Sequence, residues 1–163
     1  MKQIIRNHFK KYLRRKPWDF CWRIAIEGLI VSYIAAIITE IFGAPEREFP
    51  EWSMFTMFIF VVLIAPPMET LIMQAFPIFI ARIFKSTFKT QVLAGTIVFS
   101  LFHIPEGIAA FIAAGIFGGF YFSFTYARWR RKSRWTAFWV TALSHAIHNG
   151  IAFIMILIYV LSQ

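Results

Sequence analysis

Residues 58–74 read FIFVVLIAPPMETLIMQ: an apolar run that nonetheless carries Glu69, Thr70 and Gln74 just after a proline pair. A charged side chain at the centre of a bilayer costs roughly 2.5–3.5 kcal/mol on insertion scales, so a carboxylate kept there asks for a use. The run sits inside a longer apolar segment, about 52–82, in which Pro66 and Pro67 remove backbone donors and predict a kink or break. Similar segments cover about 24–42, 89–104, 107–127 and 135–161. Apolar runs of roughly 20 residues cross a bilayer as helices. The third ends at Pro105 and Gly107, and the fourth carries Gly115, Gly118 and Gly119, which permit close helix approach. The pattern predicts an all-α polytopic membrane protein with about five transmembrane helices. No internal repeat or low-complexity linker interrupts it, so residues 1–163 form one integral membrane domain.

Composition agrees. Hydrophobic residues make up 59% of the 163 residues, Phe alone occurs 20 times, and mean hydropathy is +0.63, too apolar for a soluble domain. There are 17 Lys and Arg against 8 Asp and Glu. In a soluble protein that excess would point to nucleic acid. Here the cations gather between apolar segments, where orientation against anionic membrane lipids explains them better, and no nucleic-acid partner is expected. The segments' flanks alternate: basic at 2–23, poor in cations at 43–51 (Arg47 among three Glu), basic at Arg82, Lys85 and Lys89, without cations at 104–107, and basic again from Arg128 to Arg134. This alternation predicts a cytoplasmic N-terminus and an outward C-terminus.

Residues 2–16 pattern as a basic amphipathic helix on the cytoplasmic surface. Although a basic start before an apolar run imitates a secretory signal, residues 24–42 exceed the usual ~7–15-residue core of one, and Glu27 and Glu40 interrupt them, so a retained span is expected. Glu27, four residues after Arg23, is expected to form a boundary ion pair with it. The single Cys21 excludes an internal disulfide and any Cys-rich metal site, and reads as an inert thiol near a membrane edge rather than a lipidation site.

Two further polar clusters lie in the later spans: Phe99 with His103, and His145 with Asn149. Both pairs are spaced i, i+4 and so share a helix face. His148 joins that second face or points elsewhere. Glu69 lies 13 residues from Arg82, His103 lies 14 from Lys89 and His145 lies 11 from Arg134. At 1.5 Å per residue these are depths of roughly 20, 21 and 16 Å from one basic edge. Against an apolar core of about 30 Å, the three groups share one level, somewhat past the midplane. Each has a plainer role available: a transmembrane His or Asn often only bonds a neighbouring helix, Thr70 and Gln74 suit packing, and Glu106 suits an interfacial turn. Ser144 has no nucleophile context. The conjunction is what points to chemistry. Burial among apolar groups makes a carboxylate a stronger base, and donors fixed in a dry cavity stabilise an oxyanion by roughly 3–4 kcal/mol each.

The ordered set resembles the CPBP family of intramembrane proteases, which includes the CAAX prenyl endopeptidases and the bacteriocin-processing or self-immunity (Abi) proteins. Its first motif, Glu-Glu-x-x-x-Arg after Ala-Pro, stands here as Ala65-Pro66-Pro67-Met68-Glu69-Thr70-Leu71-Ile72-Met73-Gln74; the second as Phe99-Ser100-Leu101-Phe102-His103; the third as His145-Ala146-Ile147-His148-Asn149. The resemblance covers about 52–155. It implies a metal-independent, glutamate-type hydrolase without cofactor, acting on a peptide or protein tail that reaches the site through the membrane, and residence in a prokaryotic plasma membrane. Carried over, Glu69 is the general base, aided by His103, and His145 and Asn149 donate to the oxyanion, with Thr70, Gln74 and Phe99 in support.

Two positions depart from the family pattern. Thr70 replaces the second Glu and Gln74 replaces the Arg, which removes both members of an ion pair and strands neither charge. A shifted register, with Met68 at the first motif position, would describe an inactive protein. Three other classes stay open. One is a zinc protease using His103, His145 or His148 and Glu69, although no His-Glu-x-x-His is present. The others are a non-catalytic immunity or assembly factor of the same fold, and a proton pathway.

Overall fold

The structure, a computed structural model, describes residues 9–12, 15–45 and 51–163. Among them the chain is helical throughout, in five long elements: α1 (Pro17–Ile41), α2 (Met54–Ile83), α3 (Phe88–Phe102), α4 (Ile108–Trp129) and α5 (Arg134–Leu161). Local chemistry starts each one. Pro17 takes the first turn of α1, where its missing N–H costs nothing. Ser53, Thr87 and Ser133 cap α2, α3 and α5, each side-chain oxygen accepting from the backbone N–H three residues on.

Four of the five are long and apolar enough to cross a membrane. The expected third span is shorter than that: α3 has 15 residues, about 22 Å, against an apolar core of about 30 Å. It stops because Pro105 and Gly107 follow. A 3₁₀ turn at Ile104–Glu106 leads to Gly107, whose φ of +99° is open to glycine and strained for other residues.

The proline pair does not break α2. Helical structure runs from Met54 to Ile83, but it widens to π geometry at Phe58–Ile64 and again at Thr70–Ala75. Each wide stretch ends with a single residue between it and a proline. The Ala65 N–H reaches back five residues to the Phe60 carbonyl ahead of Pro66, and the Phe76 N–H reaches back to the Leu71 carbonyl ahead of Pro77. Widening the turn moves the carbonyl four residues back away from the incoming pyrrolidine ring, the clash that breaks an α-helix. Carbonyls are left over where prolines follow: the next five-residue bonds would run from residue 66 to the Val61 carbonyl, from 67 to Val62 and from 77 to Ile72, and proline has no hydrogen to give.

Phe20, Ile24, Ile78 and Phe99 fill the interior as in a soluble protein, but much apolar surface also faces outward. Large apolar side chains such as Ile30, Leu63, Leu71, Leu93, Leu101 and Ile154 are at least half exposed, whereas Thr70, Gln74, Ser123, Thr125, Thr141 and Ser144 are fully buried. In lipid that is the favourable sense, because only the interior offers polar partners. With its apolar outside and candidate spans, the chain is an integral, polytopic helical membrane protein. Small residues close the interior: a Cβ on Gly119 would lie 3.0 Å from the Phe99 ring, and one on Gly115 would lie 2.8 Å from the Ser100 backbone.

Two expectations at the N-terminal side change, and that of an inert Cys21 does not. Of residues 2–16, only 9–12, 15 and 16 are described; Phe9 packs among Phe120, Tyr121 and Phe124, and Tyr12 is buried. The segment therefore inserts aromatic side chains into the bundle as well as presenting cations outside it. Glu27 does not pair with Arg23, which binds Asp19 at 2.6 Å. Glu27 instead gathers Lys11 at 3.1 Å, the Tyr121 hydroxyl at 3.1 Å and the Tyr12 hydroxyl. Burial first, and the bond to Glu27 second, push the Tyr12 phenol above its ordinary range. Cys21 is buried with its thiol facing the Val140 carbonyl, which leaves no access for lipidation. Arg47 and two of the three Glu of the loop between α1 and α2 lie outside the described residues.

The tight glycine gives a direct test of packing. Gly115→Val should destabilise the protein by about 1–3 kcal/mol, because the added carbons meet backbone rather than a movable side chain. Gly150→Ala, whose Cβ meets only Val62 at 3.6 Å, should hold or raise the melting temperature in detergent.

Candidate active site

Glu69 ends the short α-helical stretch between the two π segments of α2, so its carboxylate leaves the helix where the backbone changes pitch. Its Oε2 lies 3.7 Å from Nε2 of His145 on α5. The imidazole is almost wholly enclosed, its side chain 4% exposed against 23% for the carboxylate. The acid thus keeps an opening that the histidine lacks.

Aromatic rings hold the imidazoles. Phe122 of α4 stacks on His145 with centroids 4.0 Å apart and planes 24° from parallel. Phe99 of α3 stacks on His103 at 4.6 Å and lies 5.7 Å from the His145 ring. The expected placement of an aromatic under His103 is therefore present, and the same ring bridges the two histidines. His103 Nδ1 is 2.8 Å from the Phe99 carbonyl. A carbonyl can only accept, so Nδ1 carries the proton and Nε2 is left as the basic nitrogen. Phe122 was not singled out from sequence; in a helix with several aromatics, nothing in spacing sets it apart.

Asn149 shares the helix with His145, and its Nδ2 donates to the Val61 carbonyl of α2 at 2.9 Å. This is the carbonyl that Pro66 leaves without an intrahelical donor. A carbonyl stranded at membrane depth costs several kcal/mol, so the side chain meets a need that the backbone creates. His148 takes no part in this face: it approaches the Ala25 backbone of α1 and the edge of Phe122, at 5.4 Å. Ser144 donates to the Val140 carbonyl of its own helix, which occupies its hydroxyl.

Thr70 and Gln74 are fully buried, one residue and five residues past Glu69. Neither the Thr70 hydroxyl nor either amide atom of Gln74 has a hydrogen-bond partner among the described residues. Glu106 is exposed on the 3₁₀ turn after α3. Among the described residues, no three His, Cys, Asp or Glu side chains converge as a metal site. A carboxylate facing an imidazole, a second imidazole with a free basic nitrogen, and an anchored carboxamide can hold a water, take its proton and offer N–H groups to developing negative charge.

No curated protein and no solved structure matches the chain. A family profile does: that of the Rce1-like type II CAAX prenyl endopeptidases matches residues 50–151, which span every residue of the three polar clusters. The match covers more than half of the sequence and takes in the proline-interrupted helix, the short third helix and the histidine face of α5. The chain belongs to the Rce1-like type II CAAX prenyl endopeptidase family.

Proposed function

We propose that this member of an endopeptidase family is a glutamate-type intramembrane protease that works without a metal. Glu69 takes a proton from a water and the resulting nucleophile attacks the scissile carbonyl. His103, through its basic Nε2, shares the proton. His145 donates from Nε2 to the oxyanion, and the second amide hydrogen of Asn149 adds to that hole while the first holds α5 to α2. The substrate is a peptide or protein tail that enters from the membrane on the exposed side of Glu69. The N-terminus is cytoplasmic, as the basic loops require.

The observation that carries this reading is the 3.7 Å approach of the Glu69 carboxylate to His145 across two helices, inside an interior otherwise closed by aromatic rings and small residues. The general base and the oxyanion donor then face one position. The neutral pair Thr70 and Gln74 leaves Glu69 as the only carboxylate in its motif, which concentrates the base function on one group.

Glu69→Gln should lower kcat on a cleaved peptide by roughly 10²–10⁴-fold with the melting temperature unchanged, since the carboxamide keeps the shape. Wild-type turnover by that variant would take the base role from Glu69; an absence of turnover in the wild type itself would leave the immunity or assembly role in its place. Asn149→Ala should lower both, costing about 1–3 kcal/mol of stability because the Val61 carbonyl loses its donor. Prolonged dialysis against EDTA and 1,10-phenanthroline should leave the rate intact. A rate that falls and returns with added zinc would assign the reaction to a zinc site.

A further inference from the structure

Buried hydroxyls in this bundle follow a rule. Thr96, Ser100, Thr125 and Ser144 each donate to the carbonyl four residues earlier on their own helix, at 2.7 to 2.9 Å. Ser32 of α1 and Ser86 lack partners away from the site, and nearer to it Thr70, Ser123 and Thr141 break the rule. These last three are fully buried, yet their hydroxyls have no hydrogen-bond partner among the described residues. The two amide atoms of Gln74 and Nδ1 of His145 are in the same condition.

The elements that carry these groups pack against one another. The Thr70–Ala75 stretch of α2 packs against α3, α4 and α5. Ser123 of α4 sits over Gly95 of α3 beside Ile78, one turn beyond Gln74. Thr141 lies one turn from His145 on the same buried face of α5. Gln74 follows Glu69 and Thr141 precedes His145, and the ends toward which they lie meet where Arg134 covers the Phe79 ring at 5.6 Å. Thr70 therefore lies at the level of the Glu69–His145 pair, and Gln74, Ser123 and Thr141 lie on the side of it that faces the basic loops.

We propose that Thr70, Gln74, Ser123 and Thr141 enclose a site for ordered water beneath the Glu69–His145 pair, and that this water fixes the His145 tautomer. Leaving each polar group unpaired costs about 1–3 kcal/mol, whereas one buried water makes two to four bonds. A water that accepts from the Gln74 amide or the Thr141 hydroxyl donates to Nδ1 of His145. Nδ1 then has no proton of its own, and Nε2–H faces Glu69. Gln74 and Thr141 are positioning residues in this scheme; its activity arm rests on the proposed protease chemistry, and its other arms do not.

The test uses the full chain in nanodiscs. Nitrogen NMR of the histidine rings should show His145 protonated on Nε2 in the wild type. Thr141→Val and Gln74→Leu should lower the melting temperature and shift that tautomer balance. They should reduce kcat roughly tenfold, the factor equivalent to one hydrogen bond, with KM unchanged. Thr141→Ser should restore all three. A higher melting temperature in Thr141→Val, as removal of a truly unpaired hydroxyl gives, would overturn the proposal; so would a wild-type His145 protonated on Nδ1. Ring shifts and melting are read without substrate, so they decide the water site even if Glu69 is not the base. Should Thr141→Val fail to fold, the wild-type tautomer decides it alone.

Discussion

A backbone carbonyl that proline leaves without a donor organises the centre of this molecule. Pro66 cannot bond to Val61, and lipid offers no water to take its place. The Asn149 amide fills that role at 2.9 Å, and in doing so holds α5 at a set height on α2. Glu69 is three residues past Pro66, and His145 is one turn before Asn149. Once the amide is seated, acid and imidazole are brought level. Phe122 stacked on His145, with Phe99 tilted against the same imidazole as its other neighbour, then fixes the ring that the height alone would leave free to rotate.

The surroundings follow the same economy of polar groups. Outside, exposed Ile, Leu and Phe side chains match the lipid. Inside, Thr96, Ser100, Thr125 and Ser144 return to their own helix, whereas Thr70, Ser123 and Thr141 do not. Small residues at Gly95, Gly115 and Gly119 draw α3 and α4 close enough for Phe99 to reach both histidines. At the other end of α1, Glu27 ties Tyr12, Tyr121 and Lys11 together, so the basic N-terminal segment is fastened to the bundle by a carboxylate at its edge.

Much of this was legible in the sequence. Apolar lengths announced the helices, and counting residues from the basic edges put Glu69, His103 and His145 at one depth; for Glu69 and His145, side-chain contact bears that out. Glycine spacing foretold the close helix contacts. The misses have physical causes. Pro66 and Pro67 read as breakers because sequence does not reveal that the preceding turn widens to π geometry. Glu27 was assigned to Arg23 by local spacing, whereas its partners come from 15, 16 and 94 residues away. The role of Asn149 towards Val61 was likewise hidden, since a backbone acceptor leaves no mark in the pattern of side chains.

The most direct measurement of the central claim is a double-mutant cycle on melting or denaturant stability between Asn149→Ala and Pro66→Ala. Alanine at position 66 returns an N–H aimed at Val61, so it should recover much of the stability that Asn149→Ala loses, with a coupling of about 1 kcal/mol or more. Losses that simply add would show that the carbonyl freed by Pro66 is not what holds α5 in place.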